Sequence, residues 1–491
     1  MQNYLALVYL VVPLVLVVLF AALGKRGPGQ DNRFLNLLAI LQAAVYLGAT
    51  IWAAASLKLP LNFFHGEYFY IDSLSLYEIL ITSLIFLLAA VYARGYVPNL
   101  VRSGELDSSI LRLFYATFCL LELVTVLAFA SNNLALLWIF AELSTLFSAA
   151  LIVTLKAREN IIAALKYVFV ASTTMLFSFI GIILLYAVSR SVIPGGSLNW
   201  TALFAAASRM DPHLFFLAFV FLFLGFAAKA GVAPFHTWVP TAYVRAPSAV
   251  AVVSGTVLNL GIYAVLRLYA IGQATGTGTH LMVFLSIFGT LSIAVAGFSM
   301  LKRTNTKKII AFSGVESAGL LLIAIGLGSP VALYWALFYT LGYSLVKSLL
   351  FFCAGIFHRQ YQSNKYFAAR DAFKLQPLAI WGLILGSAAA IGTPLFPVFL
   401  AKWNILGVLA GESLFMLVAT LFFLLLAAIG LAYFFIRMFS QDGGGQIPAF
   451  HTPLSMKLPI IITLAMLLIL GLYVPGWLND TLGRIVTSLG M

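Results

Sequence analysis

The chain is 491 residues long, 63% hydrophobic and only 9% charged, with a mean hydropathy of +1.05. Those proportions exclude the soluble classes and point to an all-α polytopic membrane protein whose core is a bilayer-embedded helix bundle. The formal charge of +13 does not signal nucleic acid, because the basic residues sit between apolar runs and form no patch or stripe.

Apolar runs of about 18 residues or more predict about fourteen spanning helices, near 4–24, 34–57, 72–96, 112–131, 133–155, 161–188, 213–236, 247–272, 280–301, 309–327, 331–357, 378–408, 413–439 and 458–475. The first lacks a basic start and reads as a retained span, not a cleaved signal. In the fifth, Glu142 lies near the midpoint with Ser144, Thr145 and Ser148 close by. An intramembrane carboxylate is a functional-site candidate that asks for a cationic partner. Glu78 in the third span and Glu122 in the fourth are weaker candidates.

The seventh span carries Lys229 in an apolar run and Pro234 shortly after it. An unpaired ammonium at the bilayer centre costs roughly 2.5–3.5 kcal/mol, so it needs a partner, water or a neutral form. Pro234 removes the amide that would bond the Ala230 carbonyl, predicting a helix broken beside the lysine. His236, just beyond, reads as either an entry group or a packing residue. A carboxylate at about 4 Å changes a buried lysine's proton affinity by about 4 kcal/mol at an effective dielectric near 20. Glu142 with Lys229 is therefore expected to act as a proton switch.

Further along, the tenth span carries Ser313, Glu316 and Ser317, and the eleventh carries Lys347 preceded by Tyr339 and Tyr343 on one helical face. The twelfth is too long for one straight span, holds Gly392, Thr393, Pro394 and Pro397, and places Lys402 after them. It is the second expected break. The two breaks, in the seventh and twelfth spans, are five spans apart, and that odd offset makes them run in opposite directions, the pattern of inverted five-helix repeats. The expected layout is an N-terminal segment over 1–111, repeats over 112–272 and 273–440, and a C-terminal helix and tail over 441–491. Glu142, Lys229, Glu316, Lys347 and Lys402 would form a proton-transfer chain along the midplane.

Most of the 28 lysines and arginines follow odd-numbered spans, from Lys25 and Arg26 through Lys302, Arg303 and Lys308 to Lys457. Lys58, Arg190, Arg209, Arg267 and Arg484 fall to the other side. This bias puts both termini outside a prokaryotic cytoplasmic membrane. Cys119 and Cys353 are far apart, and the six histidines make no haem pattern, so neither cofactor nor metal is expected in this chain.

The stretches KAGVAPFHTWVPTAYVRAPSAVAVVSGTVLNLGIYAVLRLYAI (229–271), NNLALLWIFAELSTLFSAALIV (132–153), KKIIAFSGVESAGL (307–320) and LVKSLLFFCAG (345–355) resemble the antiporter-like proton-translocating subunits. That family is shared by respiratory complex I, the multi-subunit Na+/H+ antiporters and group 4 membrane-bound [NiFe] hydrogenases. The chain is most similar in style to the F-type subunit of hydrogenase-4 and formate hydrogenlyase-like complexes, which has Asn at the position of Asn259. The resemblance implies proton-transfer roles for Glu142, Lys229, Lys347 and Lys402. It also implies partners that include antiporter-like paralogues and a quinone- or hydrogenase-module anchor. Tyr339, Tyr343, Gly342, Ser317 and Ala318 depart from the family's usual residues. Those departures leave open a transport-inactive spacer, and a stand-alone or Mrp-type cation/H+ antiporter is the other alternative.

Overall fold

The computed structural model describes residues 2–22, 28–63, 67–441 and 448–490, so Lys25, Arg26 and His65 lie outside the described residues. The first half runs α1 (Gln2–Ala22), α2 (Pro28–Ser56), α3 (Ser73–Arg102), α4 (Leu111–Ala130), α5 (Leu134–Val153), α6 (Arg158–Arg190), α7 (Trp200–Ala206) and α8 (Pro212–Lys229). A 3-10 turn at Phe235–Trp238 leads into α9 (Val239–Arg245), α10 (Ser248–Ala251) and α11 (Ser254–Ala274). There follow α12 (Gly278–Met300), α13 (Thr306–Gly326), α14 (Pro330–Tyr361), α15 (Ala372–Leu375), α16 (Pro377–Ile391), α17 (Pro397–Glu412), α18 (Leu414–Phe439), α19 (Leu454–Leu472) and α20 (Gly476–Ser488). An antiparallel ribbon of β1 (Leu61–Phe63) and β2 (Phe69–Ile71), with Leu61 opposite Ile71, is the one departure from all-α character among the described residues.

Twelve helices are long and apolar enough to cross a membrane among the described residues, against fourteen expected. The difference falls at α1 and at the twelfth expected span, which is the two short helices α16 and α17. Polar caps set the starts. Asp72, Asn133, Asp211 and Asn305 accept from the amides of Ser75 (2.9 Å), Ala135 (3.0 Å), Leu214 (2.9 Å) and Lys308 (3.1 Å), satisfying donors that a helix leaves unpaired. Prolines open α8, α14, α16 and α17, where no amide is needed. The most hydrophobic helices are not the most buried ones: α11, α13 and α14 carry the fully buried apolar stretches of the interior, while α18 and α19 face mostly outward. The amphipathic α20, missed in the sequence, buries Leu478, Leu482, Ile485 and Val486 on one face.

Loop pairings gather the connections into two ends. At one, Leu106 bridges Leu155 and Asn305 bridges Lys365; at the other, Phe69 bridges Ser131 and Asn133 bridges Asn199. Arg267 is corrected from a loop charge to a core residue. It lies in α11, 1% exposed, and its fork donates to both Asp72 oxygens at 2.7 and 2.6 Å while stacking 4.0 Å from the Trp200 ring. Burial alone would raise the Asp72 carboxyl, but the Arg267 charge and hydrogen bonds hold it below the usual carboxylate range.

Both breaks are present and end alike. The α8 end is closed by Gly231 N to Ala228 O (3.1 Å) and Val232 N to Ala227 O (2.8 Å); the α16 end by Gly392 N to Ala389 O (3.1 Å) and Thr393 N to Ala388 O (3.0 Å). Gly231 (φ 73°) and Gly392 (φ 96°) supply the left-handed turn of this C-cap. Glycine, not proline, therefore ends α8: Lys229 is its last residue, and Pro234 comes three residues after the turn.

Candidate functional site

Lys229 stands at the negative end of the α8 dipole, where a cation is favoured, and is 1% exposed. Its Nζ donates to Ser144 Oγ (2.5 Å) and Thr145 Oγ1 (2.9 Å) of α5. Those hydroxyls have the Ala141 carbonyl as their own acceptor, at 2.7 Å for Ser144 and 3.4 Å for Thr145. Among the described residues Glu142 and Lys229 form no ion pair. Glu142 is half-buried and accepts instead from Ser172 of α6, while its Oε2 has no hydrogen-bond partner. The physical reason is azimuth: on α5 Glu142 turns to α6, and the hydroxyl pair faces α8. Its charge still acts on Lys229 through space.

Trp238 pins the break from below. Its Nε1 donates to Ala228 O (3.0 Å) and its ring stacks on Tyr167 with centroids 4.2 Å apart. Beside them a cavity of about 20 Å³, lined by Ser148, Tyr167 and Tyr243 among others, has room for a water. His236 is half-buried with its ring 6.3 Å from that of Phe312.

The second centre lies between α13, α16 and α17. Lys402 Nζ donates to Glu316 Oε1 (2.8 Å) and to the last carbonyls of α16, Ala390 (3.0 Å) and Ile391 (3.3 Å). A Cβ on Gly392 would lie 3.1 Å from Lys402 Cδ, so the lysine stem packs over bare backbone. The two break lysines thus differ: Lys229 ends its own helix and sends its ammonium to hydroxyls of α5, whereas Lys402 reaches back to the last carbonyls of the other half. Lys347 Nζ donates to Ile310 O (2.6 Å) and to Ser313 Oγ and feels the charges of Glu316 and Lys402. Leu258 separates the centres. A Cβ on Gly231 would lie 3.4 Å from one of its methyls, and a Cβ on Gly314 would lie 3.7 Å from the other and 3.5 Å from Lys347 Nζ.

Residues 131–430, more than half of the chain, match the family model described as NADH:quinone oxidoreductase/Mrp antiporter, TM. The chain belongs to this antiporter family. It is 28% identical over 414 residues to a hydrogenase-4 component F homolog from Methylacidiphilum infernorum, covering 84% of this chain and 86% of that one. It is 25% identical over 510 residues to NADH-quinone oxidoreductase subunit N from Polaromonas naphthalenivorans, covering 99% and 98%. The fold matches a chain of the membrane-bound sulfane sulfur reductase, an archaeal respiratory membrane complex, at a TM-score of 0.86 with 22% identity over 99% of this chain and 97% of that one. It also matches a chain of the Mrp complex from Dietzia at 0.82 with 18% identity, covering 99% of each.

In this antiporter-family chain the expected site residues therefore fall into two centres: Lys229 with Ser144 and Thr145, and Glu316 with Lys402, Lys347 and Ser313. Tyr339 and Tyr343 stack with centroids 5.9 Å apart. Tyr339 donates to Ser317 Oγ (3.0 Å), and Tyr343 to Asn259 Oδ1 (2.7 Å) and Gly255 O (2.9 Å). Asn259 Nδ2 in turn donates to Glu78 Oε2 at 3.1 Å. Sequence reading ranked Glu78 low because it stands near a helix end, yet it is 4% exposed and tied to the interior tyrosines. The available signal was Asn259 itself, a polar side chain in an apolar helix that needs a partner. Glu122 accepts from Gln42 at 3.0 Å, away from both centres.

Proposed function

We propose that this chain is the proton-translocating, antiporter-like subunit of an energy-converting respiratory or hydrogenase complex, moving H+ (or Na+) while redox chemistry proceeds in partner subunits. The observation that carries the reading is the pair of buried lysines at two helix breaks, one held only by hydroxyls among the described residues and the other by a carboxylate. Lys229 is the group that takes and releases a proton, since serine and threonine hydroxyls accept its hydrogen bonds without fixing its charge. Glu142 biases that exchange from a distance, and Glu316–Lys402 forms the second station. Leu258 lies between the two, so transfer between them requires side-chain movement or an intervening water. Tyr339 brings its hydroxyl to Ser317, the residue after Glu316, while that of Tyr343 is bound to Asn259 and Gly255. The partners in this reading are other membrane subunits, including antiporter-like paralogues and a quinone- or hydrogenase-module anchor.

Purification of the native assembly is expected to bring redox subunits in stoichiometric amount, and Glu142→Gln is expected to lower proton uptake in vesicles about a hundredfold with assembly intact. Full uptake by the variant, or uptake by the chain alone without redox partners, would count against the proposal. The basic-end loops are read as cytoplasmic, with both termini outside a prokaryotic cytoplasmic membrane. A cysteine placed at either terminus is then expected to react with an impermeant thiol reagent only from the outer face. Labelling from the cytoplasmic face alone would reverse the topology.

A further inference from the structure

We propose that the cleft between α6, α9 and the α12–α13 loop binds the phosphodiester of an anionic phospholipid, with an acyl chain lying along α6. The cleft has a volume of about 470 Å³ and is lined by Lys166, Arg245, Lys302, Arg303 and Lys308, with Glu159 the sole acid on its wall. None of the five cations belongs to an ion pair among the described residues. Lys308 is repelled by both Arg303 and Lys166. Such single-sign crowding is costly without a counterion, because like charges around one cavity sum their fields.

The neighbouring cleft offers a contrast within the same end of the molecule. Its volume is about 320 Å³, and it also gathers basic residues, but Lys156 is paired with Asp107 at 3.3 Å and the adjoining Arg359 with Glu105. Two of the cations at that surface are paired with carboxylates, whereas, among the described residues, none of the five in the α6–α9 cleft is. A loop-charge bias explains why lysines and arginines lie at this end, but it does not require five of them to converge on one cavity.

Arg303 is oriented in advance. Its guanidinium lies 4.7 Å from the Phe312 ring centroid and its Nε donates to Ser299 O at 2.6 Å, which fixes the plane of the fork that binds phosphate oxygens in pairs. On α6 the residues around Lys166 are exposed and apolar: Ile162 (58%), Leu165 (64%) and Phe169 (73%) recur along one face. A soluble phosphate has no use for that strip; a phospholipid has, since basic pockets at a membrane surface take headgroups while the chains lie on apolar helix faces. The inference requires only that the basic end meets a membrane surface, and it stands apart from whether the chain moves protons.

The test uses the purified native assembly in detergent, titrated with dioleoyl phosphatidylglycerol or dioleoyl phosphatidylcholine and read by native mass spectrometry. Retention of phosphatidylglycerol is expected to exceed that of phosphatidylcholine about tenfold or more. Lys166→Gln with Arg303→Gln and Lys308→Gln is expected to abolish the preference at an unchanged unfolding temperature, while Lys365→Gln with Lys374→Gln leaves it intact. If the triple variant fails to assemble, Leu165→Ser with Phe169→Ser replaces it and is expected to weaken retention without touching the charges. Equal retention of the two lipids overturns the proposal, as does a preference that survives the variants. Displacement of the lipid by millimolar inorganic phosphate overturns it as well, and assigns the cleft to a soluble anion. Loss of lipid selectivity on adding an acidic partner subunit assigns it to a protein contact.

Discussion

Glu316→Gln and Lys402→Met are each expected to destabilise the protein by about 3–5 kcal/mol and to stop transport, while the double variant regains stability and stays inactive. The pair is 2.8 Å apart with side chains 5% and 9% exposed. Each charge was desolvated on burial, and the partner's field offsets that cost; removing one leaves the other uncompensated. Replacing both by groups of similar volume removes the two desolvation costs together, so the double variant is expected within about 1 kcal/mol of the native protein, as buried pairs replaced by apolar residues generally are. Transport depends on a group that can change its charge, and neither Gln nor Met can. Its rate is expected to fall about a hundredfold or more in all three variants. Thermal unfolding in detergent and proton uptake in vesicles check the two halves separately. Additive stability losses in the double variant would show that the residues act apart, and undiminished uptake would remove the second centre from the pathway.

How far these centres were legible in sequence depends on which physical rule placed each residue. Lys229, Glu142 and Lys402 stood out because a charge inside an apolar run is costly wherever the helix goes. The breaks stood out because glycine and proline disrupt a helix locally, although at the first one Gly231 acts through its left-handed turn and Pro234 plays no part in ending α8. What periodicity cannot supply is the rotation of one helix against another. Glu142 and Thr145 are three residues apart, yet one meets Ser172 of α6 and the other meets the Lys229 side chain reaching over from the end of α8. The link from Glu78 to Asn259 spans 181 residues, and the Arg267–Asp72 pair spans 195. Both arise from tertiary packing of α3 on α11. Arg267 was read as a loop charge since it lies near the end of an apolar run; its burial follows from a carboxylate at the start of α3 that no local pattern connects to it.

Lys229→Met is expected to cut proton uptake by about a hundredfold or more while leaving the chain folded and assembled. Methionine matches the lysine stem in length and removes the cost of a buried ammonium, and it leaves no donor stranded: Ser144 keeps its bond to the Ala141 carbonyl at 2.7 Å. The unfolding temperature is therefore expected to change little. Ser144→Ala with Thr145→Val is the complementary experiment, since it leaves the ammonium with neither hydroxyl and no carboxylate in contact among the described residues. Its stability is expected to fall by about 1.5–3 kcal/mol for each lost charge-assisted hydrogen bond, and its uptake to fall with it. The through-space coupling to Glu142 makes a third prediction of form. Glu142→Ala and Lys229→Ala each impair uptake, and the double variant is no worse than the more impaired single one, because groups that work as a unit are not additive. Losses that add in the double variant would mean that Glu142 works on something other than Lys229, with Ser172 of α6 the first place to look. A Met variant that fails to assemble would show that the lysine holds the bundle together at the α8 break and carries no proton.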